Sequence, residues 1–380
     1  MKIVIDVTYS PSGGSLTQII NMIEIFTQTD WVDVVIYSKK RNNSLLSEVT
    51  KNNKVVISNL ANLSIIGRII WGQFLLPLYL MKEKPDILFC PGNLGPIYSP
   101  VKTVIWIGTI GPFLKEFYTN YLWTKRARLY INKFFMVASS RTADAVIFES
   151  QFTQELFARK YNIKKNKSHV INIGFDDFFT HNKGMDYRGI NTKLTTNSKF
   201  ILCVSHLYPY KNIIRLLNAY KQVVETTKTS AKLIIAGSRK NSNYNNEIDK
   251  RIIDLNIQND VVILGKVNRG YLKHLYLNAY TLVFPSPFEN FAYTLVEAMS
   301  CGTPIVCSNT TAMPETCGNA ALYFDPYNTN EMAEKIGLII ENDLLRQEMS
   351  ERSIIRSKDL PNYKEVTLQT LNIMKELANE

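Results

Sequence analysis

The feature that most constrains this chain is a rhythm of short, nearly unbroken apolar and β-branched runs separated by stretches with helical spacing. In the first half the runs fall at residues 2–7, 33–38, 54–58, 86–90, 102–107, 144–148 and 169–173. In the second half they fall at 199–204, 232–236, 261–264, 282–284 and 304–307. A strand that is apolar on both faces must be covered on both faces, which points to parallel sheets sandwiched by helices. Two such series in 380 residues, too long for one ordinary core, predict two doubly wound α/β domains. The polar stretch 176–198, rich in Asn, Lys, Thr and Gly, reads as a linker. The first domain is therefore expected over 1–175 and the second over 199–360. Residues 361–380 carry a helical pattern that can pack back on the first domain.

Hydrophobic residues make up 46% and charged residues 20%, a globular rather than disordered balance. Lys and Arg number 44 against 33 Asp and Glu, a net charge of +11. That excess favours an anionic partner: nucleic acid, an acidic membrane, or a phosphate-bearing substrate. The five cysteines, Cys90, Cys203, Cys301, Cys307 and Cys317, have no metal-ligand spacing and sit on apolar runs, as buried thiols in a reducing compartment do. The longest apolar stretch, 69–81, includes Gly72, Gln73 and Pro77 and falls short of the roughly 20 residues that span a bilayer. Asp6 interrupts the only apolar run near the start, so no export signal is read. The expectation is a cytoplasmic chain without a transmembrane helix.

Ligands of open parallel sheets bind beyond the carboxyl ends of the strands, so two facing sheets would turn their functional loops into one inter-domain cleft. The most informative loop is FPSPFENFAYTLVEAMSCGTP, residues 284–304. It reads as a strand end, a Pro-Ser-Pro loop, a helix starting near Tyr293, and a closing Gly302 followed by Thr303-Pro304. A helix start at a strand's carboxyl end presents amides and a positive dipole end suited to a phosphate. Glu289 and Glu297, with seven residues between them, flank that position. Two carboxylates around an anion site make chemical sense when each accepts hydroxyl hydrogen bonds from groups on either side of the phosphate. A sugar nucleotide has that layout.

This segment resembles the donor-binding motif of retaining glycosyltransferases of family four, which have the GT-B fold of two Rossmann-like domains facing a cleft. The matching residues are Glu289, Glu297, Ala298-Met299 and Gly302-Thr303-Pro304, with Met313-Pro314-Glu315 and the run from Ala320 to Pro326 downstream. The resemblance implies that Glu289 meets the transferred sugar and Glu297 the ribose. Asn290 and the amides of Phe291, Ala292, Tyr293 and Thr294 would meet sugar and diphosphate. After the run ending at Val204, the loop Ser205-His206-Leu207-Tyr208-Pro209-Tyr210-Lys211-Asn212 resembles the one whose Lys neutralises the departing diphosphate, which implies that role for Lys211. Many relatives have Gly-Arg or Gly-Ser where this chain has Ser205-His206. Gly13 and Gly14, opening the first helix, would approach the donor phosphate and the acceptor. Gly237 and Lys266 fall at strand ends expected near the base. Many members also carry a His-Asp pair where this chain reads Gly108-Thr109.

The function implied is retaining transfer of a hexose from a nucleoside-diphosphate sugar to a polysaccharide or lipid-linked oligosaccharide. No cofactor or metal is implied, and the sequence has no Asp-x-Asp cluster at a strand end. Gly108 also fits an alternative, a catalytically silent GT-B scaffold or regulatory protein. A nucleic-acid partner is suggested by charge alone, without any recognisable motif, and is not expected. The basic, aromatic stretch 115–141, with Tyr118, Trp123, Lys125, Arg126, Arg128, Tyr130 and Phe134, could lie on an anionic membrane, placing the enzyme peripherally on the inner face of the cell membrane.

Overall fold

The computed structural model describes residues 1–9, 14–40, 46, 54–59, 65–114, 123–180 and 199–380, with the side chains at 14, 15, 17, 65, 124 and 125 left aside. It divides into two compact units, Met1–Gly174 with Pro361–Glu380, and Phe175–Leu360.

The first unit is built on seven parallel strands: β1 (Lys2–Asp6), β2 (Asp33–Ser38), β3 (Lys54–Ile57), β4 (Ile87–Cys90), β5 (Lys102–Ile107), β6 (Ala145–Phe148) and β7 (Ser168–Val170). Their order is β3-β2-β1-β4-β5-β6-β7, so the winding direction reverses between β1 and β4. Successive residues point to opposite faces, as strand geometry requires. Ile3 and Ile5 join a core with Phe26, Trp106, Val366, Leu371 and Met374. Val4 joins one with Tyr37, Trp71, Leu80, Phe148 and Phe157 on the other face. Both faces are buried, which is why the strands read as continuous apolar runs. The helix Tyr363–Asn379 contributes Val366, Leu371 and Met374 to the first of these cores. It opens with a reciprocal capping box between Asn362 and Glu365.

The second unit holds six parallel strands: β8 (Phe200–Val204), β9 (Lys232–Ala236), β10 (Val261–Gly265), β11 (Thr281–Phe284), β12 (Ile305–Ser308) and β13 (Ala321–Phe324). Their order is β10-β9-β8-β11-β12-β13, with the reversal between β8 and β11. The sequence reading omitted β13, although residues 320–324 are an unbroken apolar run; Leu322 and Tyr323 are half-buried in it.

The start of the expected linker is a correction. Asp176 caps a turn over Asp177–Phe179 by accepting from the Phe178 amide, and its carboxylate pairs with Arg269 at 2.6 Å. Phe179 is buried with its ring centroid 5.9 Å from that of Tyr276. Polar composition hid this anchor because two aromatic residues suffice to dock a single turn. The remainder of the expected linker, 181–198, lies outside the described residues. All five cysteines are buried free thiols.

Candidate functional site

In open α/β sheets the crevice forms where the winding reverses. In the second unit that point lies between β8 and β11, and the loops leaving those two strands are the two whose sequences stand out: residues 205–212 and 285–292.

The loop after β8 runs through a turn at Pro209–Lys211 into the helix Ile213–Thr227. Asn212, in the left-handed region at φ 64°, is buried and donates from Nδ2 to the carbonyls of Pro285 at 3.0 Å and Pro326 at 2.7 Å. One side chain thereby ties together the loops after β8, β11 and β13, and fixes the neighbouring Lys211. Lys211 Nζ bonds the Glu289 carboxylate, and both side chains are only 16% exposed. It also lies over the rings of Tyr210 and Phe284, at 5.3 and 5.7 Å. A lysine held by a carboxylate and two rings has lost most of its rotamer freedom before any ligand arrives, which favours electrostatic preorganisation.

The loop after β11 feeds the helix Tyr293–Ser300, starting where the sequence placed it. Its N-cap residue is Ala292, which has no side chain to cap the first turn. The Glu289 amide is held by Thr311 Oγ1 at 3.1 Å. Asn290, Phe291 and Ala292 are buried, and Tyr293 and Thr294 half-buried, so this loop is packed rather than swinging in solvent.

Glu297 sits one turn into that helix in different surroundings. The hydroxyl of the fully buried Tyr276 donates to its Oε2 at 3.0 Å. Burial pushes the Glu297 carboxyl up from 4.5 to about 7, against the pull of the Tyr276 hydrogen bond and the Arg269 charge. The two glutamates of one motif therefore differ: Glu289 is ion-paired with Lys211, whereas Glu297 is poised to gain or lose a proton near neutrality. Gly302, at φ 74°, closes the helix, and Thr303 Oγ1 donates to the Tyr276 carbonyl at 2.8 Å. The Gly-Thr-Pro signature thus locks the helix carrying Glu297 to the helix carrying its partner.

His206 accepts from the Ser238 amide at Nδ1, 3.2 Å away, which leaves the proton on Nε2. Burial first, then the charges of Lys240, Lys211 and Lys266, hold its pKa below the usual imidazole range. A neutral ring can donate one hydrogen bond but brings no charge to a diphosphate. Ser205 spends its hydroxyl on the His206 carbonyl at 3.0 Å. At Gly237 an added Cβ would lie 1.8 Å from the Ser205 carbonyl oxygen, so only glycine lets the ends of β8 and β9 meet. Lys266 is exposed at the end of β10. Tyr276 and Arg269 were not foreseen, since neither belongs to a spaced motif. Among the described residues no group of three His, Cys, Asp or Glu could hold a metal ion.

The first unit has its own reversal, between β1 and β4. Gly14 opens the helix Gly14–Thr27, while Gly13 lies outside the described residues. Asp6, at the end of β1, is buried, accepts from the Thr8 amide at 3.0 Å, and is pushed by burial up to about 6. Gly108 follows β5 and donates its amide to Asn93 Oδ1 at 2.6 Å.

Comparison with known proteins places these units. Residues 190–356 match the family described as Glycosyl transferases group 1, and residues 12–177 match Glycosyltransferase Family 4. The chain is 32% identical over 177 residues to the O-antigen chain mannosyltransferase B of Escherichia coli, covering 46% of this chain and 45% of that protein. It is 26% identical over 237 residues, 62% of this chain and 61% of the relative, to a Campylobacter jejuni N-acetylgalactosaminyltransferase whose name specifies a diphospho-undecaprenol-linked substrate. The chain thus spans about half the length of the curated relatives it matches. Among solved structures, a sucrose-phosphate synthase from Thermosynechococcus elongatus superposes with a TM-score of 0.78 at 16% identity, over 99% of both chains. Two Rossmann-like units with these sheet orders have the GT-B architecture, and the chain belongs to the group 1 glycosyltransferases.

Proposed function

We propose that the protein transfers a hexose from a nucleoside-diphosphate sugar to a polysaccharide or lipid-linked oligosaccharide, with retention of anomeric configuration. The observation that carries this reading is the arrangement at the second reversal: a helix start without a side-chain cap, Glu289 and Lys211 paired beside it, and Glu297 one turn within. Breaking the bond between the sugar and the diphosphate builds negative charge on the diphosphate. Lys211 and the helix-start amides oppose that charge without a metal ion. Glu297 accepts hydrogen bonds from ribose hydroxyls, and Glu289 accepts one from the transferred sugar. As the acceptor oxygen bonds the anomeric carbon, its proton passes to the departing phosphate oxygen on the same face. Charge and atoms then balance without a separate general base. The mannosyltransferase relatives put a nucleoside-diphosphate mannose first among donors to try.

The test is incubation with GDP-mannose, UDP-glucose and UDP-N-acetylglucosamine, following release of the nucleoside diphosphate, with and without EDTA. Turnover of one donor, unaffected by EDTA and giving a retained product by proton NMR, is expected. Inversion or strict metal dependence contradicts the mechanism. Tight nucleotide binding without any turnover favours a silent scaffold.

We also propose that the first unit docks on an anionic membrane. Ile66, Ile70, Phe74 and Leu78 recur every fourth residue along the helical run from Ile65 to Glu83, and are 41–66% exposed. Trp123, Tyr130 and Phe134 are exposed on the helix Trp123–Thr142, which also carries Arg126, Arg128 and Lys133. Arg128 lies near enough to Arg68 to weigh on its ionisation, so the two helices adjoin. Exposed apolar side chains among bases suit an anionic interface. Residues 115–122 of the basic stretch, and the side chain of Lys125, lie outside the described residues. Among the described residues no helix is long and apolar enough to cross a membrane. Sedimentation with phosphatidylglycerol vesicles, but not phosphatidylcholine vesicles, is expected to fall with salt and with Phe74→Ser or Arg128→Gln. Equal indifference to both vesicle types contradicts docking.

A further inference from the structure

The Glu297 carboxylate is held by a residue that no motif marks. Tyr276 lies on the helix Arg269–Asn278, fully buried, and its hydroxyl donates to Glu297 Oε2 at 3.0 Å. The ring has no room to swing aside. Phe179 packs edge-on against it at 5.9 Å between centroids, and Thr303 Oγ1 bonds the Tyr276 main-chain carbonyl at 2.8 Å. The Thr294 side chain, from the first turn of the Glu297 helix, bonds the phenol oxygen. Burial first, then the nearby Glu297 charge, hold the phenol well above its usual range, so the hydroxyl keeps its proton and stays a donor.

The charges around Glu297 come from the same helix and from the turn packed on it. Arg269, about two turns before Tyr276, favours the ionised carboxyl, and Asp176 opposes it. Those two groups are paired with each other at 2.6 Å, so their effects on Glu297 partly offset. Lys273, buried on this helix, donates to the Phe178 carbonyl at 2.6 Å. Cys301, just past the Glu297 helix, is a thiol that burial pushes up to about 12. The helix Asp343–Lys358, packed against the Glu297 helix, sends the neutral Ser350 and Ser353 to the carbonyls of Gly302 and Thr303. Among the described residues, the Tyr276 hydroxyl is thus the group that bonds the Glu297 side chain directly.

We propose that Tyr276 is a positioning residue for nucleotide binding, its hydroxyl fixing the Glu297 carboxylate in the state and direction that accept a ribose hydroxyl. The proposal rests on the reading of Glu297 as the ribose-binding group. A carboxylate accepts from a hydroxyl more strongly than a carboxylic acid does. The Glu297 carboxyl, raised by burial to about 7, lies where one donor more or less decides which form prevails at neutral pH. Without the Tyr276 hydroxyl it rises further, because a hydrogen bond that favoured the charged form is lost. Nucleotide binding draws on the ionised form. Affinity therefore rises with pH, and the rise comes at higher pH when Tyr276 cannot donate.

The experiment is isothermal titration with UDP, GDP and dTDP from pH 6 to pH 9, on the parent, on Tyr276→Phe and on Tyr276→4-aminophenylalanine. The phosphates of the nucleotide titrate alike for all three proteins, so the ratio of affinities between variant and parent is the readout. Tyr276→Phe is expected to bind about tenfold more weakly than the parent at pH 6 and within about twofold of it at pH 9, its rise centred about one pH unit higher. The aromatic amine is a weaker donor on the same ring, so its rise is expected to fall between those two. That variant also serves if Tyr276→Phe fails to fold. A ratio that stays the same at every pH in the folded variants would make Tyr276 a packing residue and overturn this proposal alone. Failure of all three nucleotides to bind the parent would contradict the nucleotide site of the second unit, and this proposal with it.

Discussion

The two sheets reverse direction at equivalent points but equip those points differently. In the second unit the reversal is lined by charge: Lys211 bound to Glu289, Lys240 and Lys266 near His206, and Glu297 against Tyr276. In the first unit it is lined by buried acids, Asp6 at the end of β1 and Glu149 two strands beyond β4, with no such run of lysines in the same loops. Positive charge fixed on rigid loops suits a diphosphate. One fold element, repeated, thus presents opposite chemistry according to which side chains its strand ends carry.

The largest expected effect sharpens the electrostatic side of this contrast. Lys211→Ala is expected to lower turnover by about 100- to 1,000-fold, the range for losing one preorganised donor to a developing anion. Nucleoside-diphosphate affinity is expected to fall by less than about tenfold, because charge on the phosphates grows during bond cleavage. Single-turnover rates and titrations on the same samples check the split. Equal losses in both would reduce Lys211 to a binding group.

Glu297 provides the next test. Its carboxyl is raised from 4.5 to about 7, so the folded protein holds a proton that the unfolded chain releases between those values. The penalty for ionising it is absent below the lower value, grows as pH rises, and is complete above the upper one. Glu297→Gln is therefore expected to stabilise the unliganded protein at pH 8 by up to about 3 kcal/mol, and to leave it unchanged near pH 4. Thermal unfolding at both pH values measures this. A variant destabilised at pH 8 would show that the carboxylate is not strained by its surroundings. Such a gain in stability accompanied by weaker nucleotide binding is what a site shaped for its ligand should give.

A matched pair of glycine substitutions compares the regions directly. At Gly237 a Cβ meets backbone, the Ser205 carbonyl at 1.8 Å, and neither strand end can yield. Gly237→Ala is expected to cost at least about 1–3 kcal/mol, as forced overpacking does. At Gly108 the obstacle is the tip of the Glu149 side chain, which can rotate away. Gly108→Ala is expected to cost less than Gly237→Ala, because a side-chain end has rotamer freedom that the main chain lacks. Comparable losses in unfolding midpoint at both sites would mean that Glu149 is as fixed as the main chain.

How much of this was legible in the sequence follows the same division. Residues such as Ile3, Val4 and Ile5 announce parallel strands because both faces must be apolar, so the two sheets could be read directly. Glu289 and Glu297 stood out because they flank a helix start at a strand end, and Lys211 because its loop resembles a diphosphate-binding loop of a known family. Tyr276 was not, because it reaches Glu297 from a different helix and no local spacing records that contact. Glu149 was also illegible. Its signal was the missing side chain at position 108, and an absence acquires meaning only when the neighbour that fills it is seen. Asp176–Phe179 misled for a related reason: polar flanks concealed an aromatic anchor whose partner, Tyr276, is remote in sequence.

The central claim is that the reversal between β8 and β11 holds a nucleoside diphosphate. Isothermal titration of the intact protein with UDP, GDP and dTDP, repeated on Glu297→Ala, tests it most directly. One nucleotide is expected to bind, and the variant to lose about 1–3 kcal/mol, roughly five- to 150-fold, as a ribose hydroxyl loses its charged acceptor. Binding of none of the three, or equal affinity in a folded variant, would contradict the account.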